Sequence, residues 1–147
     1  MVTLDPSVAG AAHAEERLRG EEMIWITTVR GDGQPQTSAV WFHWDGTDFL
    51  LFSQPSAVKL RNLAVDPRVS LNLNGTGYGA DLVIVEGTAE VLPDYGSGPW
   101  PEAARVEAYY AKYETSLRET LGSSADEMAG AFSTALRITP TRWRVTP

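Results

Sequence analysis

The chain has 147 residues, of which 43% are apolar and 21% are charged. This is the size of one ordinary domain, and the composition supports a hydrophobic core. Nineteen acidic residues against twelve basic ones give a net charge of −7, which opposes non-specific binding to nucleic acid or to anionic lipid. Because the chain contains no cysteine, disulfides, thiolate metal sites and cysteine nucleophiles are excluded. We therefore expect one domain over residues 1–147, in which any anionic ligand is held by a local basic site.

The start of the chain carries no pattern typical of a targeting segment. Met1–Gly20 contains several charged residues and lacks the apolar run of roughly 7–15 residues that a secretory signal needs. No stretch elsewhere approaches the roughly 18 apolar residues of a membrane span. The sequence predicts a cytoplasmic protein with neither a membrane nor a nucleic acid as its partner.

The first part of the chain predicts one helix followed by a β-meander. Ser7–Gly20 is rich in alanine, glutamate and arginine and ends in glycine, which is typical of a short helix. Two tight turns, at Gly31–Gly33 and Asp45–Gly46, then separate segments rich in β-branched and aromatic residues. The predicted strands are Met23–Val29, Pro35–Trp44 and Asp48–Gln54.

The remainder alternates short helices and strands. Ala57–Val65 has helical spacing, with Ser56 as the expected N-cap and Asp66–Pro67 as its end. In the strand Leu82–Leu92, Gly87 marks a predicted bulge, and Pro140 in Leu136–Val145 marks an edge or a second irregularity. The other predicted elements are the strand Val69–Asn74, the loops Gly75–Gly79 and Pro93–Pro101, and helices near Glu102–Leu121 and Ser124–Phe132.

Six or so antiparallel strands with a few short helices favour a mainly β fold. Short strands joined by tight turns favour a closed or nearly closed barrel, because closure removes the exposed edges of an open sheet.

Motifs for catalysis by the protein's own side chains are scarce. His13 and His43 are the only histidines, and they are too far apart in sequence for a two-histidine metal motif. There is no G-x-S-x-G nucleophile motif and no glycine-rich phosphate motif. His43 lies between Phe42 and Trp44, which predicts a partly buried strand histidine with a satisfied hydrogen bond. No catalytic residue and no metal ligand is predicted.

One segment has the chemistry of an anion site. A strand ends at Ser53–Gln54, a helix begins after Ser56, and Lys59 and Arg61 lie in its first turns. The unpaired N–H groups of a helix start, together with serine hydroxyls and an ammonium, can hold a phosphate. The alternative is that Lys59 and Arg61 form only the solvated face of a short helix.

Five segments in a fixed order span nearly the whole chain: Thr27–Phe42, Leu51–Asn62, Asp66–Leu71, Val85–Val91 and Ile138–Arg144. Together they resemble the FMN-binding split-barrel family, which contains pyridoxamine 5′-phosphate oxidase and the actinobacterial flavin/deazaflavin oxidoreductases. The resemblance implies a split β-barrel that forms a homodimer, with two cofactor sites between the subunits.

The same resemblance implies roles for particular residues. The strand around Ser38, Ala39, Val40 and Trp41 would lie along the tricyclic ring of the cofactor and contact it largely through backbone groups. The phosphate would be held by Ser53, Gln54, Val58 and Lys59, with Arg61 as a further nearby cation. Asn74, expected on the fifth strand, matches a position that reaches a ligand across the subunit interface.

The basic residues are sparser than in the oxidase proper, and the VWF, KLRN and TPTRWR motifs are closer to the group that uses coenzyme F420. The expected function is therefore F420-dependent hydride transfer to or from a small conjugated organic substrate. Two alternatives stay open: an FMN-dependent reductase or oxidase, and a non-catalytic flavin- or deazaflavin-binding protein. A haem-binding relative would need a convincing axial ligand, for which only the two histidines are available.

Overall fold

A computed structural model describes residues 2–93 and 103–147. Within them the chain forms one seven-stranded antiparallel sheet and short helices. The strands are β1 (Met23–Val29), β2 (Pro35–Trp41), β3 (His43–Trp44), β4 (Phe49–Ser53), β5 (Arg68–Asn72), β6 (Val83–Leu92) and β7 (Thr134–Val145). The helices are α1 (Ala11–Gly20), α2 (Val58–Val65), α3 (Ala103–Lys112) and α4 (Ala125–Ala131), with a π-helical turn at Ser116–Leu121. Among the described residues, no helix combines the length and the apolar character that crossing a membrane requires.

The two edges of the sheet meet at one point of the chain. Its strand order is β2-β1-β5-β6-β7-β4-β3, so β2 and β3 form the two edges. These edge strands are consecutive in sequence and are separated only by Phe42. The predicted strand Pro35–Trp44 is therefore two strands with different partners. At the break between them, the backbone N–H of Phe42 donates to the Tyr113 hydroxyl (2.8 Å). The expectation of a mainly β split barrel is confirmed, with seven strands where six or so were predicted.

Strand β4 is buried on both faces, and this places the candidate site. All five of its residues are buried, whereas β1 alternates between buried and half-buried positions. Phe49 and Leu51 belong to the core inside the barrel. Leu50 and Phe52 face the other way and belong to a second apolar cluster, formed with α3 and the π-helical turn. The C-terminal helices therefore pack on the outside of the barrel, over β4.

The predicted irregularity at Gly87 is confirmed. The pairing of β6 with β7 shifts between Glu86 and Gly87, so that Glu86 is opposite Arg142 while Gly87 is opposite Pro140. A Cβ atom on Gly87 would lie 2.8 Å from the Thr139 carbonyl oxygen, which explains the glycine. Pro140 is tolerated inside a central strand because it lies at this bulge.

Other boundaries differ from the sequence prediction. The first helix begins at Ala11 rather than Ser7, after Gly10 in the left-handed conformation. Ser56 is not the N-cap of α2: that position is Ala57, and no side chain caps the helix. Strand β5 ends at Asn72, so Asn74 lies beyond it.

The predicted helix Glu102–Leu121 is interrupted. It appears as α3 up to Lys112 and as the π-helical turn from Ser116. Of the predicted loop Pro93–Pro101, all but the first residue lies outside the described residues.

Candidate cofactor-binding site

A cavity of about 530 Å³ lies between the outer surface of the barrel and the C-terminal helices. Its volume is within the range of roughly 300–1,000 Å³ that is usual for small-molecule sites. Six of the ten sequence-predicted binding residues line it: Ala39, Val40, Trp41, Ser53, Gln54 and Lys59.

One side of the cavity is the end of β2. Because β2 is an edge strand that pairs with β1 alone among the described strands, part of its backbone N–H and C=O groups make no ladder hydrogen bond there. The Trp41 side chain is stacked on Tyr113 of the segment after α3. This side therefore offers backbone polar groups beside a fixed aromatic ring.

The start of α2 offers unpaired donors. The N–H of Ala57 donates to the Gln54 carbonyl (3.0 Å), and the N–H of Leu60 donates to the Ala57 carbonyl (3.1 Å). The N–H groups of Val58 and Lys59 have no partner within the part of the chain that is described. The absence of a capping side chain at Ala57 leaves these donors, and the positive end of the helix dipole, available to an anion.

Lys59 is a cation for which the described part of the chain supplies no counter-ion. Its side chain is half-buried, and burial lowers the pKa of its ammonium. No carboxylate or carbonyl partner is found for it among the described residues. Surface cations such as Arg30 and Arg68, by contrast, are paired with neighbouring aspartates. Because desolvation of a charge is unfavourable unless a partner compensates it, this ammonium favours a bound anion.

Ser53 completes this end of the cavity. It is 3% exposed at the end of β4, and its hydroxyl donates to the Gln54 carbonyl (3.1 Å). That hydroxyl oxygen can still accept a hydrogen bond. Ser53, the α2 start and Lys59 together fit a phosphate group.

The four other predicted residues lie outside the cavity lining. Arg61 is exposed and matches the solvated-face alternative. The Asn74 side chain accepts a hydrogen bond from the indole N–H of Trp25 (2.8 Å) within the same chain. Ser38 lies one residue before the lining part of β2, and the Val58 side chain is 46% exposed.

Sequence reasoning did not find the opposite side of the cavity. It consists of aromatic and apolar side chains from the C-terminal helices, and we name this set the helical wall: Tyr109, Tyr110, Leu121, Met128 and Phe132. The helical spacing of Val106, Tyr110, Tyr113 and Leu117 does indicate a buried face on α3. It does not indicate that neighbouring side chains face a cavity.

Neither histidine lines the cavity. His43 is a half-buried residue of β3 whose Nδ1 accepts a hydrogen bond from Arg105 Nε (3.3 Å), as predicted for a satisfied strand histidine. Burial, and secondarily the charges of Arg105 and Lys112, lower its pKa. His13 lies on α1, with its Nε2 3.4 Å from an Asp81 carboxylate oxygen.

The curled sheet, the cationic helix start and the adjoining aromatic cavity define a split barrel whose cavity has the chemistry to suit a phosphate-bearing small molecule. The chain belongs to the pyridoxamine 5′-phosphate oxidase family, whose sequence model matches residues 11–147. It therefore has the fold of the flavin-binding split barrels.

Solved structures similar to this chain span the same length. An F420 reductase is 26% identical with a TM-score of 0.66, over 88% of this chain and 94% of the reductase. A conserved hypothetical protein from Mycobacterium tuberculosis is also 26% identical, with a TM-score of 0.67, over 99% of this chain and 89% of that protein. The haem storage protein HutZ from Vibrio cholerae is 15% identical with a TM-score of 0.68, over 95% and 96% of the two chains; at that identity the likeness shows the fold alone.

Proposed function

We propose that this protein is an F420-dependent oxidoreductase that acts as a cytoplasmic homodimer and transfers a hydride to a small conjugated organic acceptor. The observation that carries the proposal is the half-buried ammonium of Lys59, which lies at the cavity and has no counter-ion among residues 2–93 and 103–147. A phosphate-bearing cofactor supplies the missing anion. The similarity to an F420 reductase over most of both chains supports the deazaflavin.

The chain's own residues bind and orient the cofactor. Lys59 would neutralise the phosphate, and the N–H groups of Val58 and Lys59 would donate to its oxygens. The backbone groups of β2 near Ala39 and Val40 would hydrogen-bond the polar edge of the ring, and Trp41 would pack beside it. When bound, a reduced deazaflavin supplies the hydride that the protein lacks the side chains to provide.

Proton supply is the other requirement of the reaction. Among the described residues, the ionisable groups lining the cavity are Glu22, Lys59, Tyr109 and Tyr110. Burial raises the pKa of Tyr110 to about 12 and that of Tyr109 well above its usual range, and the Tyr110 hydroxyl is buried. Neither phenol is suited to release a proton near neutral pH. We infer that the proton accompanying the hydride would come from solvent at the cavity mouth rather than from either phenol.

The second candidate is an FMN-dependent reductase or oxidase, which the match to the pyridoxamine 5′-phosphate oxidase family model favours. Both cofactors carry a tricyclic ring and a ribityl phosphate, so the same anion site serves either. A non-catalytic cofactor-binding role follows if binding occurs without turnover.

The deciding experiment is a titration of the purified protein with F420 and, separately, with FMN, followed by intrinsic tryptophan fluorescence. We expect F420 to quench the fluorescence and to bind at least tenfold more tightly than FMN, and reduced F420 to be oxidised on addition of a conjugated acceptor. Tighter binding of FMN supports the second candidate. Binding of neither cofactor overturns both, and F420 binding without oxidation across a panel of enones and quinones supports the non-catalytic role.

A further inference from the structure

The helical wall gives the cavity two chemically different halves. Its charged lining groups, Lys59 and Glu22, come from α2 and from the residue preceding β1. The wall is built from α3, the π-helical turn, α4 and the residue that follows it, and carries only aromatic, aliphatic and thioether side chains.

The wall stays uncharged at neutral pH. The phenol of Tyr109 is buried beside Tyr110 and Tyr113, with ring centroids 5.1 and 5.3 Å apart, respectively. Burial keeps the pKa values of Tyr109 and Tyr110 above their ordinary range. The surface presented to a ligand is therefore that of ring faces and edges, a thioether and an isobutyl group.

Part of the apolar surface of the helical wall is not buried by packing within the protein. Leu121 is 53% exposed, and Met128 and Phe132 are only half-buried against the second apolar cluster. Helix α4 has no fully buried residue. These three side chains therefore keep apolar surface that a ligand in the cavity can cover.

We propose that Leu121, Met128 and Phe132 form the substrate half of the cavity and select a flat, uncharged, apolar acceptor. This rests on the proposed function, because the phosphate-binding half of the same cavity is assigned to the cofactor. Aromatic and thioether side chains pack well on conjugated rings. A carboxylate placed among them would lose hydration without gaining a partner.

The test compares two probes of the same ring size, 2-methoxynaphthalene and 2-naphthoate, titrated calorimetrically into the full-length protein saturated with F420. We expect the neutral probe to bind at least about tenfold more tightly than the anion. Leu121→Glu should weaken binding of the neutral probe by about tenfold or more. Phe132→Leu, which keeps an apolar side chain but removes the ring, should weaken it by about three- to tenfold.

Thr120→Glu is the matched control, because it adds the same charge to the neighbouring exposed residue, outside the cavity lining. It should leave the affinity for the neutral probe unchanged, and F420 affinity should be the same in all three variants. Thermal unfolding of each variant checks that the fold is retained. Equal affinity for the two probes, or an unchanged affinity in both Leu121→Glu and Phe132→Leu, overturns the inference.

Repeating the neutral-probe titration without added cofactor separates this inference from the proposed function. If F420 does not bind but the neutral probe still binds in a Leu121-dependent manner, the proposed function fails and the apolar subsite stands. If F420 binds and the neutral probe does not, only the subsite is overturned.

Discussion

The ring of Tyr113 lies parallel to that of Trp41, with centroids 4.2 Å apart and planes 3° from parallel. The Tyr113 hydroxyl also accepts from the Phe42 N–H (2.8 Å) and donates to the Glu22 carbonyl. One side chain beyond α3 therefore orients a cavity residue and holds the chain where the two edge strands of the barrel meet.

Removing only that hydroxyl tests this connection. Tyr113→Phe keeps the stacked ring but leaves buried backbone groups unsatisfied, so we expect a loss of about 1–3 kcal/mol in the free energy of unfolding, measured with urea. The control is Tyr78→Phe, at a residue that is 86% exposed, which should leave that free energy unchanged. Equal free energies of unfolding for Tyr113→Phe and Tyr78→Phe would contradict a stabilising role of the Tyr113 hydroxyl.

The role of Lys59 is tested against a neighbouring cation on the same helix. Lys59→Ala should weaken cofactor binding by roughly 10- to 100-fold, because a charge-assisted hydrogen bond to phosphate is lost. Arg61→Ala removes an equal charge outside the cavity lining, and exposed charges are largely screened. It should change the dissociation constant by less than about twofold. Similar losses in the two variants would indicate that overall charge, not a site, attracts the ligand.

Asn62 connects the helix that carries Lys59 to the barrel. Its buried amide donates to Thr28 Oγ1 and to Gln36 Oε1, both at 2.9 Å. Asn62→Leu should reduce the free energy of unfolding by about 1–3 kcal/mol, because the buried hydroxyl of Thr28 loses its partner. The double variant Thr28→Val/Asn62→Leu should recover part of that loss in a urea-unfolding cycle. Strictly additive effects would rule out the coupling.

Substitution by alanine should have opposite effects on the stability of the protein at Gly87 and at Gly130. Gly87→Ala forces a Cβ to within 2.8 Å of the Thr139 carbonyl oxygen and 2.9 Å of Ile138 Cγ2, which should destabilise the protein by about 1–3 kcal/mol. Gly130→Ala meets nothing within 4 Å and lies in α4, so it should stabilise by about 0.5–1 kcal/mol. Differential scanning calorimetry of both variants gives the signs. A stabilised Gly87→Ala would show that the bulge has room for a side chain.

Lys112 should make the stability of the protein depend on pH. Its Nζ donates to the Phe42 carbonyl (2.9 Å), and burial lowers its pKa to about 8 from 10.5. Between these two values the unfolded chain binds a proton that the folded chain has released, so stability rises with pH across this window. Lys112→Met lacks this titration. We therefore expect the free energy of unfolding of the wild type, measured with urea, to increase relative to that of Lys112→Met when the pH is raised from 7.5 to 9.5. If this difference between the two proteins stays constant or shrinks, the lowered pKa of Lys112 is contradicted.

Several features of this protein could be predicted because they depend only on local sequence pattern. The alternation in Met23–Val29, the turn glycines and the bulge at Gly87 follow from strand periodicity and backbone sterics, which act over a few residues. The proximity of Ser53, Gln54 and Lys59 was also predictable, because a strand end, a helix start and a lysine lie within one short segment, and the three residues line the same cavity. Ser56 was wrongly expected to cap α2, since a capping preference does not decide which residue begins a helix.

Contacts between segments distant in sequence set which surfaces of the protein meet. At Phe42, where Pro35–Trp44 is divided into two strands, the backbone N–H donates to the hydroxyl of Tyr113, 71 residues away. Likewise, Leu121, Met128 and Phe132 line the cavity because β4 is covered on its outer face by the C-terminal helices. Periodicity shows that a helix has an apolar face, but the partner of that face is set by packing between segments distant in sequence. The sequence therefore indicated where an anion would bind, and the packing of the helices on β4 supplied the apolar half of the site.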